Sequence, residues 1–211
     1  FEQIDSHVNE ISDEIADAFI YRTNAAALSN MVELVKIGRE PRLEVDTGSL
    51  LKNIEDAKKV KSGIKVHDGS VFEGFSNWEE VTEYTEEVTG NDLKPLVNLI
   101  NKVGENALIE ALLKSNSSDY DCVVTTAHKS KGLEFNKVKL GGDFFYKEAV
   151  EPGEKVLTDD EARLLYVAAT RAKKQLDVSA LNPLLKAIGY NAQAEVNALE
   201  LRPIQEEKEE G

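Results

Sequence analysis

One cysteine, one methionine, one tryptophan and three histidines in 211 residues leave little for several kinds of chemistry. Cys122 alone cannot form an internal disulfide, and a lone thiol suits a reducing, cytoplasmic setting. With only that thiol and scattered histidines, a structural zinc site has almost no ligands to draw on. No apolar run approaches a membrane span and no signal-peptide pattern opens the chain, so no membrane association is expected. The only methionine is Met31, which makes residue 1 an unnatural start and a fragment or processed piece the expectation. Positive charge is scarce as well. Against 39 Asp+Glu stand 25 Lys+Arg, a formal net of -14.

That balance argues at first against nucleic acid, whose binders normally carry a basic footprint. The charge is unevenly spread, however. Residues 1–119 hold 12 Lys+Arg against 23 Asp+Glu, and residues 191–211 hold 2 against 6. Residues 120–190 hold 11 against 10, a net of +1. Net charge alone therefore decides nothing. Hydrophobic content of 41% is enough for a packed core, and the length suits one domain with a modest insertion.

The order of patterns predicts an interrupted α/β layer. "ADAFIYR" (16–22) reads as a buried strand. The helix that follows has Leu28, Met31, Val32 and Val35 on one side and Gly38 at its stop. "KVHDGSVF" carries a hairpin signal at Asp68-Gly69, and "SNWEEVTEYTEEV" opens with a capping box from Ser76 to Glu79. Two more amphipathic helices follow in "NDLKPLVNLINKV" and "GENALIEALLK". These inserted helices are expected to form their own cluster around Trp78, Tyr84, Leu96 and Leu112. The α/β rhythm returns with "CVVTTA" and "KVKLGG", then a capping box in "TDDE", the helix "EARLLYVAATRAKK" and the strand "QLDVSAL". The expected division is 1–42 and 117–190 for the α/β layer, 43–116 for the helical insertion and 191–211 for an acidic, frayed tail.

Chemistry concentrates in "TTAHKSKGLEF" (125–135), directly after an apolar strand. The bland reading is a solvated loop. Yet open parallel sheets bind ligands at the carboxyl ends of their strands. Thr125, Thr126, His128 and Ser130 can hydrogen-bond phosphate oxygens, and Lys129 or Lys131 can add charge. Gly132 lets a backbone approach a ligand closely, and Glu134 can accept from a ribose hydroxyl.

"AFIYRTNAAAL", "VVTTAHKSKGLEF" and "EARLLYVAATRAKK" together, in this order, resemble the UvrD/Rep-type superfamily 1 DNA helicases. The second block resembles helicase motif V and the third motif VI. "FSNWEEVTEY" and "GLEFNKVKLGGDF" are most similar to the F-box DNA helicase-like branch and its phage and bacterial relatives. The resemblance implies a RecA-like parallel sheet flanked by helices, the second motor domain of a P-loop NTPase, with a small helical insertion. It implies ATP with Mg2+ bound between this domain and an N-terminal motor domain, and single-stranded DNA running across both. By position, Arg171 resembles the motif VI arginine that reaches the γ-phosphate, and Gly132 and Glu134 the nucleotide-facing part of motif V. Thr125, Thr126 and His128 resemble its DNA-facing part, and Thr23 and Asn24 an earlier DNA-facing motif. Arg163 and Tyr166 match motif positions of partly structural work.

One departure limits the expectation. No G-x-x-x-x-G-K-[ST] occurs, so nothing here cradles a triphosphate through a P-loop. The metal ligands are expected from the missing first motor domain, and the chain alone should be inactive. The resemblance therefore implies half of an ATP-dependent helicase in a bacterial or phage setting. The alternative is a non-catalytic, helicase-derived module that binds DNA or protein.

Overall fold

Ala18–Tyr21 forms strand β2, a segment too uniformly apolar for a sheet with one wet face. The computed structural model describes residues 7–8, 10–67, 69–87, 93–115, 118–147 and 156–188. There β2 joins β1 (His7–Val8), β3 (Pro41–Glu44), β4 (Cys122–Thr126), β5 (Phe135–Leu140) and β6 (Ala172–Asp177). The order across the sheet is β1-β6-β5-β2-β4-β3, and every neighbouring pair is parallel. Such a sheet must be covered on both faces, and it is. The sequence reading missed β3, and the boundary expected between residues 42 and 43 falls inside it. Pro41 sits at the first residue of this edge strand, where a missing N–H costs no ladder bond.

Alternation along the strands divides the core in two. Phe19, Leu43, Cys122 and Val124 face one side, and Ala18, Ile20, Val123, Val138 and Leu140 the other. The first face receives α1 (Asn24–Lys36), capped by Thr23, whose hydroxyl accepts from the Ala26 N–H at 3.2 Å. Its buried stripe is Ala27, Leu28, Met31 and Leu34. Val35, expected within it, is exposed.

The inserted helices are α2 (Thr47–Lys61), α3 (Trp78–Glu87), α4 (Lys94–Val103) and α5 (Glu105–Lys114). They do not form a separate cluster. Leu96, Ile100, Leu108 and Leu112 belong to the same continuous core as Leu28, Met31 and Val124. The physical reason is that α4 and α5 pack on α1 as well as on each other, so their apolar stripes merge with its own. Tyr84 is exposed, and Trp78 is half-buried, held by its Nε1–H to Asn101 Oδ1 at 2.8 Å and by Lys61 over its ring. The hairpin expected at Asp68-Gly69 is not there. Residues 64–67 and 69–77 carry no strand, because Val66 and Phe72 both turn into the core, and Asp68 lies outside the described residues. The α3 cap also sits one residue later than expected. Asn77 Oδ1 accepts from the Glu80 N–H at 3.0 Å, while Glu80 reaches back to the Ser76 N–H at 2.8 Å.

The other face is covered by α6 (Asp159–Ala169), a 3-10 turn at Ser179–Leu181 and α7 (Asn182–Ala187). The Thr158 cap forms as expected, with its hydroxyl accepting from the Glu161 N–H at 3.2 Å. The helix does not run on through Arg171. It closes at Ala169, and β6 begins at Ala172 because the Arg171 carbonyl already accepts from the Phe135 N–H at 2.9 Å. The expected tail, 191–211, lies outside the described residues. Among the described residues no helix is long and apolar enough to cross a membrane.

Candidate functional site

β2 and β4 end side by side, with Tyr21 opposite Thr126, so the loops leaving them diverge and open a crevice. An open cleft of about 360 Å³ lies there, lined by Arg22, Thr23, Asn24, Thr126, His128 and Lys129, with Asp46 and Asn53 from the α2 side. Four of the five residues expected to face DNA are thus brought together. Thr125 is not. It is fully buried and its hydroxyl donates to the Glu44 carbonyl at 2.7 Å, because the strand's alternation turns it away from Thr126. Ser130 is lost to the cleft in the same way, buried and donating to the Ala127 carbonyl at 2.9 Å.

Thr23 lines the cleft with its hydroxyl already committed. It caps α1 and donates to Asp143 Oδ2 at 2.9 Å. Asp143 also accepts the backbone N–H groups of Arg22 at 2.9 Å and Thr23 at 2.8 Å, so one carboxylate fixes the entry to α1. Sequence reasoning missed Asp143, and the signal was the glycine pair before it. A Cβ on Gly141 would collide with the Tyr21 ring, and one on Gly142 would come within 2.8 Å of the Ala180 carbonyl oxygen. Only glycine lets the chain turn there. Arg22 was missed as well. Its Nε bonds Glu161 Oε1 at 2.6 Å and its guanidinium stands 4.9 Å from the centre of the Phe145 ring. Asp46 puts one carboxylate in the cleft, held below the usual range by the N–H and hydroxyl of Ser49, with Lys129 contributing less.

The other predicted residues gather at the opposite end of the sheet. Phe135, the first residue of β5, pairs with Ala172, the first of β6, so Glu134 and Arg171 precede adjacent strands. Gly132 has φ 88 and open space around it, so its backbone conformation alone demands glycine. Glu134 is exposed. Arg171 is held by three bonds of its own chain: Nε to the Val167 carbonyl at 2.9 Å, Nη1 to the Leu133 carbonyl at 3.1 Å, and Nη2 to the Thr170 hydroxyl at 2.9 Å. At ~3.3 Å per residue, the length of β5 sets this group roughly 20 Å from the cleft. Residues 127–134 span that distance. Arg163 and Tyr166 are exposed on α6. Among the described residues no three His, Cys, Asp or Glu side chains cluster to hold a metal.

Comparison with known proteins gives the family. Residues 1–182 match the UvrD-like helicase C-terminal domain. The chain is 27% identical to F-box DNA helicase protein 1 of Schizosaccharomyces pombe over 74% of its own length and 20% of that protein's. It is 32% identical to the ATP-dependent DNA helicase Rep of Buchnera aphidicola over 60% of its length and 18% of the relative's. It is 34% identical to DNA helicase II of Haemophilus influenzae over 50% and 15%. The chain therefore spans a fifth or less of each of these relatives. A parallel sheet with the motif residues at its two ends, and a family match over most of the length, have one meaning: the chain belongs to the UvrD-like helicase C-terminal domain family.

Proposed function

We propose that this chain is the C-terminal motor domain of an ATP-dependent DNA helicase, coupling ATP hydrolysis to translocation on single-stranded DNA and to duplex unwinding. The observation that carries the proposal is the two-ended layout, with polar and cationic groups in a cleft at one end and Gly132, Glu134 and Arg171 at the other. In this reading Asn24, Thr126 and His128 contact the DNA backbone, with Arg22 and Lys129 supplying charge. Thr23 acts through its cap and Asp143, and Thr125 leaves the DNA-binding set. Glu134 meets the nucleotide sugar beside Gly132.

The residues fit a triphosphate at the far end. Three of the five N–H donors of Arg171 are engaged by its own chain, which fixes the plane of the fork and leaves two for phosphate oxygens. Bound ATP would supply the phosphoryl group, and a facing N-terminal motor domain would supply the P-loop and magnesium ligands. What this chain contributes is orientation and positive charge where the γ-phosphate's charge spreads. We assign the sheet and its flanking helices to the motor and α2 to α5 to an insertion that shares its core.

The test is ATP hydrolysis by a protein that pairs this chain with its first motor domain. His128→Ala should raise the single-stranded DNA concentration giving half-maximal stimulation while leaving the KM for ATP unchanged. Loss of both together would place His128 outside a DNA site. A parent protein with no P-loop, or no DNA-stimulated hydrolysis, would favour the non-catalytic binding module.

A further inference from the structure

Helix α6 carries Arg171 just beyond its last turn, and its first turn is tied to the cleft by a contact that the function above does not use. Glu161 is buried, 7% exposed, and its Oε1 meets Arg22 Nε at 2.6 Å. Arg22 lines the cleft. Its guanidinium also stands 4.9 Å from the centre of the Phe145 ring, and its backbone N–H is anchored by Asp143. Among the described residues the two Nη groups of Arg22 have no hydrogen-bond partner, so the side chain is oriented without being used up. The remaining described partner of Glu161 is the Phe145 N–H at 3.4 Å, at the long end for a hydrogen bond.

We infer that Glu161 is a positioning residue that couples the DNA cleft to Arg171 through α6. The inference rests on the function proposed above. A phosphate entering the cleft would attract Arg22, but withdrawing Arg22 would leave a buried carboxylate without a counter-ion, which is strongly disfavoured. The pair therefore holds, and a shift of Arg22 carries the first turn of α6 with it. An eleven-residue helix is a rod of about 16 Å, and at its far end Arg171 is bonded to the Val167 carbonyl in its last turn. Displacement at the cleft is delivered to the arginine without passing through the 127–134 loop.

The experiment uses the protein that pairs this chain with its first motor domain and compares wild type, Glu161→Gln and Phe145→Leu. Basal hydrolysis, the KM for ATP, maximal stimulation by an oligothymidylate and the oligothymidylate concentration at half-stimulation are measured, with the melting temperature. For Glu161→Gln we expect basal rate and KM within about twofold of wild type, and stimulation reduced about tenfold. Phe145→Leu, which loosens Arg22 and leaves the carboxylate intact, should lose stimulation to a smaller extent. Wild-type stimulation in both variants overturns the inference while leaving the proposed function standing. An unstimulated wild type overturns both. If Glu161→Gln fails to fold, Phe145→Leu decides: reduced stimulation at normal basal rate supports the coupling, and unchanged stimulation refutes it.

Discussion

Replacing Asp177 with asparagine should remove a large part of the fold's stability although it changes only one atom. The side chain is 2% exposed and accepts the Ile11 N–H at 2.9 Å on Oδ2 and the Ser179 N–H at 2.8 Å on Oδ1, with Lys139 Nζ at 3.3 Å. An amide offers a single acceptor atom to these donors, so one N–H is left facing an NH2 group. Losing a charge-assisted bond and stranding a buried donor sums to about 2–4 kcal/mol. For a chain of this size that is a fall of about 5–15 °C in melting temperature. The carboxyl is also held below the usual range: burial alone would raise it, but the Ile11 and Ser179 N–H groups and Lys139 outweigh burial. With the folded pKa depressed, this stabilisation is complete above the unfolded value near ~3.9 and drains away as pH falls through the folded one. The gap between wild type and Asp177→Asn should therefore close on acidification below about pH 4. Thermal unfolding followed by circular dichroism from neutral to acid pH reads both effects. A gap of less than about 1 °C at neutral pH, or one that persists undiminished in acid, would refute the reasoning.

Other positions give simpler tests. The Cys122 thiol is pushed up to about 12, first by burial and then by Asp121, so iodoacetamide near ~pH 8 should label it only as fast as the chain unfolds. Rapid labelling of native protein would contradict that. Gly142→Ala should cost about 1–3 kcal/mol, because the new methyl meets a backbone carbonyl that cannot swing aside. Chemical denaturation would show it, and an unchanged midpoint would mean the 141–144 turn yields easily. Thr125→Val should lower stability by about 1 kcal/mol and leave DNA affinity intact. A DNA-binding defect at normal stability would return Thr125 to the cleft.

Much of this architecture was legible because its signals are local. β2, α1 and the Thr158 cap follow from apolar runs, helical spacing and a capping residue, each read over a few positions. What escaped reading depends on partners far away in the sequence. Asp143 lies 120 residues from Thr23, whose hydroxyl it holds, and Glu161 lies 139 from Arg22. β3 is four residues long, opens with a proline and carries two charges, Arg42 and Glu44, so it looks like a strand only once β4 lies beside it. Thr125 was misplaced for a subtler reason. A motif read as a string treats adjacent threonines as equivalent, while a strand sends them to opposite faces. Of the insertion's helices, α3 to α5 were correct in kind and α2 was not read, and the stripes could not say whether the helices would cover each other or α1.

Arg171 is the residue on which the mechanistic reading turns, and the structure sharpens what its removal should do. Two structural roles compete with the catalytic one: pairing with a nearby carboxylate, Glu161 or Asp177, and capping the helix. Neither carboxylate is its partner, since Glu161 holds Arg22 and Asp177 holds Ile11, Ser179 and Lys139. The capping role is real: Nε binds the Val167 carbonyl in the last turn of α6. Arg171→Ala should therefore cost about 1 kcal/mol of stability even if the side chain never meets a nucleotide. A catalytic role predicts far more. With a facing motor domain present, hydrolysis should fall by about 10³–10⁵ while ATP still binds, the range for a lost arginine finger. Arg171→Lys separates the two effects. A lysine ammonium can cap the helix and restore much of the melting temperature, but it cannot hold Val167, Leu133 and Thr170 while presenting two further N–H groups to a phosphate. We expect the lysine variant to regain stability and remain slow in single-turnover hydrolysis. Recovery of hydrolysis in step with melting temperature would make Arg171 a helix cap and no more.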